Sequence, residues 1–447
     1  MPQESASLPT VFFCLRANSD VDQIVPVIDA LARRNRSPIR VIIYDPIKTY
    51  RDDFRIRYLE ERHGVTVQHL FELPGIAWRP RLTAPVMRGL FLLLLALQRE
   101  FPSLFNHMLQ PMLRRLRTRL DFESRSSSST AALTNEVLRA RAATVVFDHT
   151  GHPLARAVAT AARREGIRMI ALPHSIAHLT NILPSDTADP NATDDGDWTA
   201  HYDNVVLPNH AVAARVARPH HNPHCFRVLG SPRFSQDWGA TLDGITPPFE
   251  WQPGGTKVLF ILSKHGPYVD WREVERVALH LSRDPRLALL IQPHPRSELS
   301  GIPAFAPGPR VRVAAAELPT ASLIQWADLV VFWGTSVIYD ALRLRKPTLH
   351  LAYLFRLHFD FESHIHSWRV SSFENFRQRL EAFLQRGEAT YSEDEARSCI
   401  AALVEPAGGN VANRYAELIE STHHRERQHA ARASNAHEPA VQPTCEP

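Results

Sequence analysis

The sequence predicts an α/β protein built as two parallel-sheet domains. Apolar runs of strand length alternate with helical patterns from residue 10 to residue 240, the alternation lapses in "ATLDGITPPFEWQPGG", and it begins afresh at "KVLFILS". Strands separated by helices are joined by crossovers, which make neighbouring strands parallel and cover both faces of a sheet. A chain of 447 residues has room for two cores of ordinary size.

The elements follow in order. "TVFFCLRA" (10–17) is the first strand, and Asn18, Ser19 and Asp20 cap a helix whose Ile24, Val27, Ile28 and Leu31 share one face. The stretch "SDVD" (19–22) has the spacing of a metal-binding acidic pair, but it sits where that helix needs its N-cap and is read as capping. "IRVIIYD" (39–45), helical "FRIRYLEERHG" and "VTVQHL" come next, then a helical insertion over 82–141. "ATVVFDH", "IRMIALPH", an acidic loop with "DDGD" (194–197), "NVVLPN" and "FRVLGSPR" complete the first half. The second half reads "KVLFILS", "LALLIQPH", "VRV", "DLVVFWG" and "PTLHLAYL", with helical patterns between them. The expected layout is therefore a Rossmann-like domain over 1–240, a linker over 241–256, a second Rossmann-like domain over 257–421 and a disordered polar tail over 422–447.

Within the insertion, "LFLLLLAL" (90–97) falls well short of the twenty or so apolar residues that span a bilayer. Its apolar side is expected to pack on its own domain. In "PMLRRLRTRL", Leu113, Leu116 and Leu120 share a helical face among Arg114, Arg115, Arg117 and Arg119, and peripheral contact of these arginines with an anionic inner membrane is left open. The net charge of +4 is too small and too evenly spread to argue for nucleic acid. The four cysteines are far apart, which disfavours a disulfide framework or structural zinc. "PHHNPHC" (219–225) lacks a distant partner pair and reads as a surface turn. The opening "MPQESASLPT" has no secretory pattern, so a cytoplasmic location is expected.

Ligands of parallel sheets bind beyond the carboxyl ends of the strands, so the candidates are sought there. "LLIQPHPR" delivers His294 and Arg296 at a strand end, between and after two stiffening prolines. That elbow suits a phosphate; a plain β–α turn with a solvated histidine explains it equally well. "WGTSVIYDAL" runs from a strand through Gly334 into a helix expected to start near Thr335 and Ser336, with Asp340 one turn on. Its amides and hydroxyls suit a phosphate and Asp340 a ribose, although ordinary capping accounts for them too. Lys264 and His265 end another strand and could offset charge on a departing phosphate. In the first half, Asp148 is the best-placed carboxylate for a general base, with His149 and His174 as polar or acid partners. Gly230 and Arg233 sit near the expected hinge.

"LPHS", "LGSPRF", "QPHPR" and "WGTSVIYDAL", in this order, resemble the GT-B glycosyltransferases of bacterial surface-polysaccharide assembly. The similarity is greatest to transferases of CMP-activated acidic sugars, the sialyl and β-Kdo groups, and extends to the CDP-glycerol glycerophosphotransferases. It spans roughly 140–350. The resemblance implies two Rossmann-like domains across a cleft, a metal-independent transfer from a nucleotide sugar, no cofactor, and a glycan or lipid-linked glycan acceptor. His294 and Thr335–Ser336 would bind the nucleotide phosphate and Asp148 would be the base of an inverting reaction. Asp237 is a candidate nucleophile for a retaining one. Gln292 stands where those families often have lysine. A CDP-glycerol-type phosphotransferase, a UDP-sugar 2-epimerase and a non-catalytic nucleotide-sugar-binding subunit are the rival readings.

Overall fold

The computed structural model describes residues 10–421 except 101, 149–152, 177–197, 217–221, 264–267, 295–302 and 316–317. The acidic "DDGD" loop, the tail and four candidate site residues (His149, Lys264, His265, Arg296) lie outside the described residues.

The first domain begins β1 (Thr10–Leu15), α1 (Asn18–Arg34), β2 (Ile39–Ile43), α2 (Phe54–His63), β3 (Thr66–His69). Three helices follow, α3 (Trp78–Glu100), α4 (Pro102–Ser124) and α5 (Ser127–Arg139). The sheet resumes with β4 (Ala142–Asp148), α6 (Pro153–Arg164), β5 (Arg168–Leu172), β6 (Asn204–Leu207), α7 (His210–Val216) and β7 (Phe226–Val228). Its seven strands run in the order β3-β2-β1-β4-β5-β6-β7, and every pairing is parallel. All six residues of β1 are buried, as a central strand covered by helices on both faces requires.

After α8 (Gln236–Ile245), the second domain comprises β8 (Thr256–Ile261), α9 (Trp271–Arg283), β9 (Leu287–Gln292), β10 (Val311–Val313), α10 (Thr320–Trp326), β11 (Leu329–Phe332), α11 (Ile338–Arg343), β12 (Thr348–Leu351), β13 (Arg369–Val370), α12 (Phe373–Arg386) and α13 (Glu393–Cys399). Its parallel sheet runs β10-β9-β8-β11-β12-β13. The two-residue β13 has too little sequence to announce itself. In both sheets the strand order reverses once, between β1 and β4 and between β8 and β11. These are the switch points where crevices open beyond the strand ends.

The expected second domain runs to 421, but its last segment returns to the first. Val411, Ala412, Tyr415, Ala416 and Ile419 are buried with Val25, Ile28 and Val41 in one core. The chain crosses between domains beside Gly230, whose carbonyl accepts from the Tyr415 hydroxyl at 2.6 Å. Asp237 takes part in the same junction: its carboxylate accepts from the Ala412 amide at 3.1 Å. The leucine run also departs from expectation. Leu94 is buried, but Leu92 and Leu93 point outward, 48% and 56% exposed. The inner side of α3 is already filled by packing of Ala84 and Met87 against Phe71 and Leu120.

Candidate active site

Three strand ends of the first sheet converge at its switch point. β4 ends on Asp148, β5 leads to His174, and α1 brings Asp20 from the turn after β1. Asp20 and Asp148 are 0% and 1% exposed, so both carboxyl groups depend on protein partners. The His174 Nδ1 lies 2.6 Å from Asp20 Oδ1 and 3.3 Å from Asp148 Oδ2. On the other edge of the ring, Ser19 Oγ is 2.9 Å from Nε2 and 3.3 Å from Nδ1. The second oxygen of Asp20 accepts from the Arg16 and Ala17 amides, both at 2.8 Å. Asp20 thus does cap the start of α1, as "SDVD" suggested, while its other oxygen serves the cluster. Tyr44 supplies a hydroxyl to Asp148 Oδ1 at 3.5 Å.

The electrostatics follow from this packing. Burial pulls the His174 imidazole down, but its hydrogen bonds and attraction to Asp148 and Asp20 outweigh that and raise its pKa to about 9. Burial, and then the charge of Asp148, raise Asp20 above the usual carboxylate range, against the His174 hydrogen bond. The Arg16 guanidinium is raised despite burial by the negative charge of Asp148 above all. The result is an imidazolium held between two acids at neutral pH. Among the described residues, Asp20, Asp148 and His174 are also the one set whose ligand atoms could converge on a metal ion, lying within 4.8 Å of one another.

A pH dependence of stability follows. A histidine raised in the folded state stabilises fully below its unfolded pKa, near 6.5, and loses that contribution as pH rises through about 9. The unfolding free energy in urea is expected to fall by roughly 2–3 kcal/mol across that window. His174→Gln is expected to flatten the profile; an equally steep fall in the variant would place the titration elsewhere.

Several of the candidate polar residues stand at the switch point of the second sheet. Ser263 follows β8, and its hydroxyl donates to the Gly334 carbonyl after β11 at 2.9 Å. Gly334 has φ +51°, and a Cβ there would approach the Phe359 ring at 3.1 Å. His294 sits half-buried just beyond β9. The expected helix start near Thr335 and Ser336 is corrected: α11 begins at Ile338, because Thr335 Oγ1 accepts from the Val337 amide at 3.3 Å and closes a turn first. Asp340, the expected ribose contact, is 2% exposed and lies 3.8 Å from Arg233. Arg233 in turn meets Asp22 of α1 at 2.6 Å, which makes it an interdomain tie. Gln292 is buried and donates to Thr320 Oγ1, at the start of α10, at 2.7 Å.

The structure therefore brings Asp148 and His174 together and sets Gly334, Thr335, Ser336 and His294 on the second sheet. Ser19 and Asp20 were missed as site residues. The rule that found Asp148, a carboxylate just past a strand end, applied equally to the end of β1, but the capping explanation absorbed it.

No protein-family model matches the sequence, and no curated protein matches it. Solved structures do. A Listeria monocytogenes protein assigned as a UDP-N-acetylglucosamine 2-epimerase aligns with TM-score 0.53 at 12% identity, over 93% of this chain and 96% of that one. The UDP-GlcNAc 2-epimerase of Methanocaldococcus jannaschii gives TM-score 0.50 at 11% identity, over 92% and 99%. The S. aureus MnaA structure with UDP gives 0.50 at 10%, over 91% and 94%. With its two parallel sheets, the chain has the GT-B fold.

Proposed function

We propose that this protein is a sugar-nucleotide enzyme in which the Asp20–His174–Asp148 cluster transfers protons at the sugar. The observation that carries this reading is a histidine ring held by two buried carboxylates at the switch point of a parallel sheet. An acid and a base are kept side by side there, both out of bulk water, where positioned proton transfer is effective. The nucleotide is assigned to the second sheet, with His294, Thr335 and Ser336 toward its phosphates and Gly334 allowing close approach. Lys264, His265 and Arg296 are proposed to add positive charge at that end, and His149 a further polar group beside Asp148.

Of the reactions open to such a site, 2-epimerisation of a UDP-sugar ranks first. Two of the structural neighbours above are named as epimerases of this kind, and a third was determined with UDP. Inverting a carbon beside the anomeric centre breaks a C–H bond and remakes it on the other face, which calls for both an acid and a base. Glycosyl transfer to a glycan or lipid-linked acceptor is the second reading. It is favoured by the placement of the whole cluster on the first domain, since an inverting transfer needs one base on the acceptor side. The motif order around "QPHPR" and "WGTSVIYDAL" supports CMP-activated donors for that case.

Incubation with UDP-N-acetylglucosamine in heavy water separates the two. Epimerisation is expected to replace the sugar C2 proton by deuterium, seen as loss of its proton NMR signal. UDP release that needs an acceptor and leaves C2 unlabelled would select transfer. Thermal shifts against CMP, CDP, UDP and GDP identify the base: stabilisation by the cytidine nucleotides alone would remove the UDP-sugar reading.

A further inference from the structure

Among the described residues, the large apolar side chains that stand exposed are Trp78, Leu82, Val86, Leu92, Leu93, Met112 and Phe122, and all lie on α3 or α4. Elsewhere the chain buries such groups, so this is a localised feature and not general surface composition. On α3 the positions have helical spacing. Trp78, Leu82, Val86 and Leu93 fall on one stripe, and Pro85, Gly89, Leu92 and Ala96, also exposed, extend it. Among the described side chains, none that is charged interrupts the stripe; Arg81 stands exposed at its edge. The opposite side of α3, with Ala84 and Met87, is packed on the domain. The exposed stripe is therefore an apolar face open to solvent.

The neighbouring helix shows what would cover it. α4 carries exposed Arg114, Arg115, Arg117 and Arg119 close in sequence to exposed Met112 and Phe122. Arg119 pairs with Glu123 at 3.4 Å, while Arg114, Arg115 and Arg117 form no ion pair among the described residues. An apolar face edged with cations matches the boundary between acyl chains and anionic headgroups. A second copy of this chain would present the same cationic edge and no complementary anion. Among the described residues no helix is long and apolar enough to cross a membrane, so the face lies along a surface and does not span one.

We infer that the α3–α4 hairpin docks the protein on an anionic lipid bilayer, with the Trp78–Leu93 stripe in the interface and Arg114, Arg115 and Arg117 on the phosphates. The hairpin stands over the ends of β2 and β3, where Arg88 of α3 meets the His69 ring at 3.1 Å. This is the same end of the sheet that carries the Asp20–His174–Asp148 cluster. The inference is independent of which sugar nucleotide is used.

Flotation of the full chain with phosphatidylcholine vesicles, with and without phosphatidylglycerol, tests it. Binding is expected only when phosphatidylglycerol is present, and it is expected to weaken as salt is raised. Leu82→Glu with Val86→Glu is expected to lower partitioning by at least about ten-fold. Replacing Arg114, Arg115 and Arg117 by alanine is expected to lower it by about ten-fold and to flatten the salt dependence. Brominated lipid is expected to quench wild-type fluorescence more than that of Trp78→Phe, a measurement that does not depend on the glutamate variants folding. Unchanged vesicle binding by the glutamate pair together with equal quenching of Trp78→Phe would overturn the inference. So would absence of vesicle binding; if sedimentation then shows a dimer that Leu82→Glu dissociates, the face is a contact between copies.

Discussion

Asp148→Asn is expected to lower sugar-nucleotide turnover by about 10²–10⁴-fold, the range of a lost general acid or base. Asparagine keeps the shape at the end of β4 and the contact with Tyr44, but it cannot take up a proton or hold a positive imidazole. Loss of this carboxylate also removes one of the two partners of His174 at Nδ1. The His174 pKa is therefore expected to fall below its native value of about 9, which proton NMR of the imidazole reads directly. The fall in turnover is expected in kcat, with KM little changed, because the residues proposed to hold the nucleotide lie on the other domain. A variant with native kcat and a shifted His174 would make Asp148 a structural acid, and the proposed chemistry would lose its base.

Gly230→Ala is the substitution expected to cost most stability. Gly230 has φ +113°, outside the range of residues with a side chain, and a Cβ there would lie 2.6 Å from the Val404 carbonyl oxygen and 2.9 Å from the Val411 methyls. Neither neighbour can easily give way. The Val404 carbonyl accepts from the Ser231 amide at 2.8 Å, and Tyr415 holds the Gly230 carbonyl from the other side. Backbone strain and overpacking together are expected to destabilise by about 3–5 kcal/mol, measured as a lower urea midpoint. Because this is where the chain returns from the second domain to the first, the separation of the domains' unfolding transitions is expected to change too. A loss under about 1 kcal/mol would mean the crossing is looser than its contacts imply.

Much of the architecture was legible because the signals are local. Apolar runs such as "TVFFCL" and "LALLIQ" are short, branched and bounded, and each became a buried parallel strand. Asp148 was legible for the same reason, as a carboxylate closing such a run. What eluded local reading were residues with two roles or with distant partners. Asp20 caps its own helix with one oxygen and meets a histidine 154 positions away with the other. Asp340 follows "WGTS" closely in sequence, but that Arg233 stands 3.8 Å from it was not readable there. The Leu90–Leu97 run is apolar all round, so periodicity could not say which side would be left in the open.

By itself, the sequence determined two alternating α/β domains, the strand ends where the candidate residues stand, and a helical insertion with an arginine-rich edge. Those properties follow from side-chain volume and periodicity along a few residues. Only the tertiary structure decided which strand ends meet, since the order of strands in a sheet depends on crossovers and not on any one strand. It also decided the charge of His174. An imidazole near pH 7 becomes a stored proton only when burial and two carboxylates, from α1 and β4, surround it at hydrogen-bonding distance.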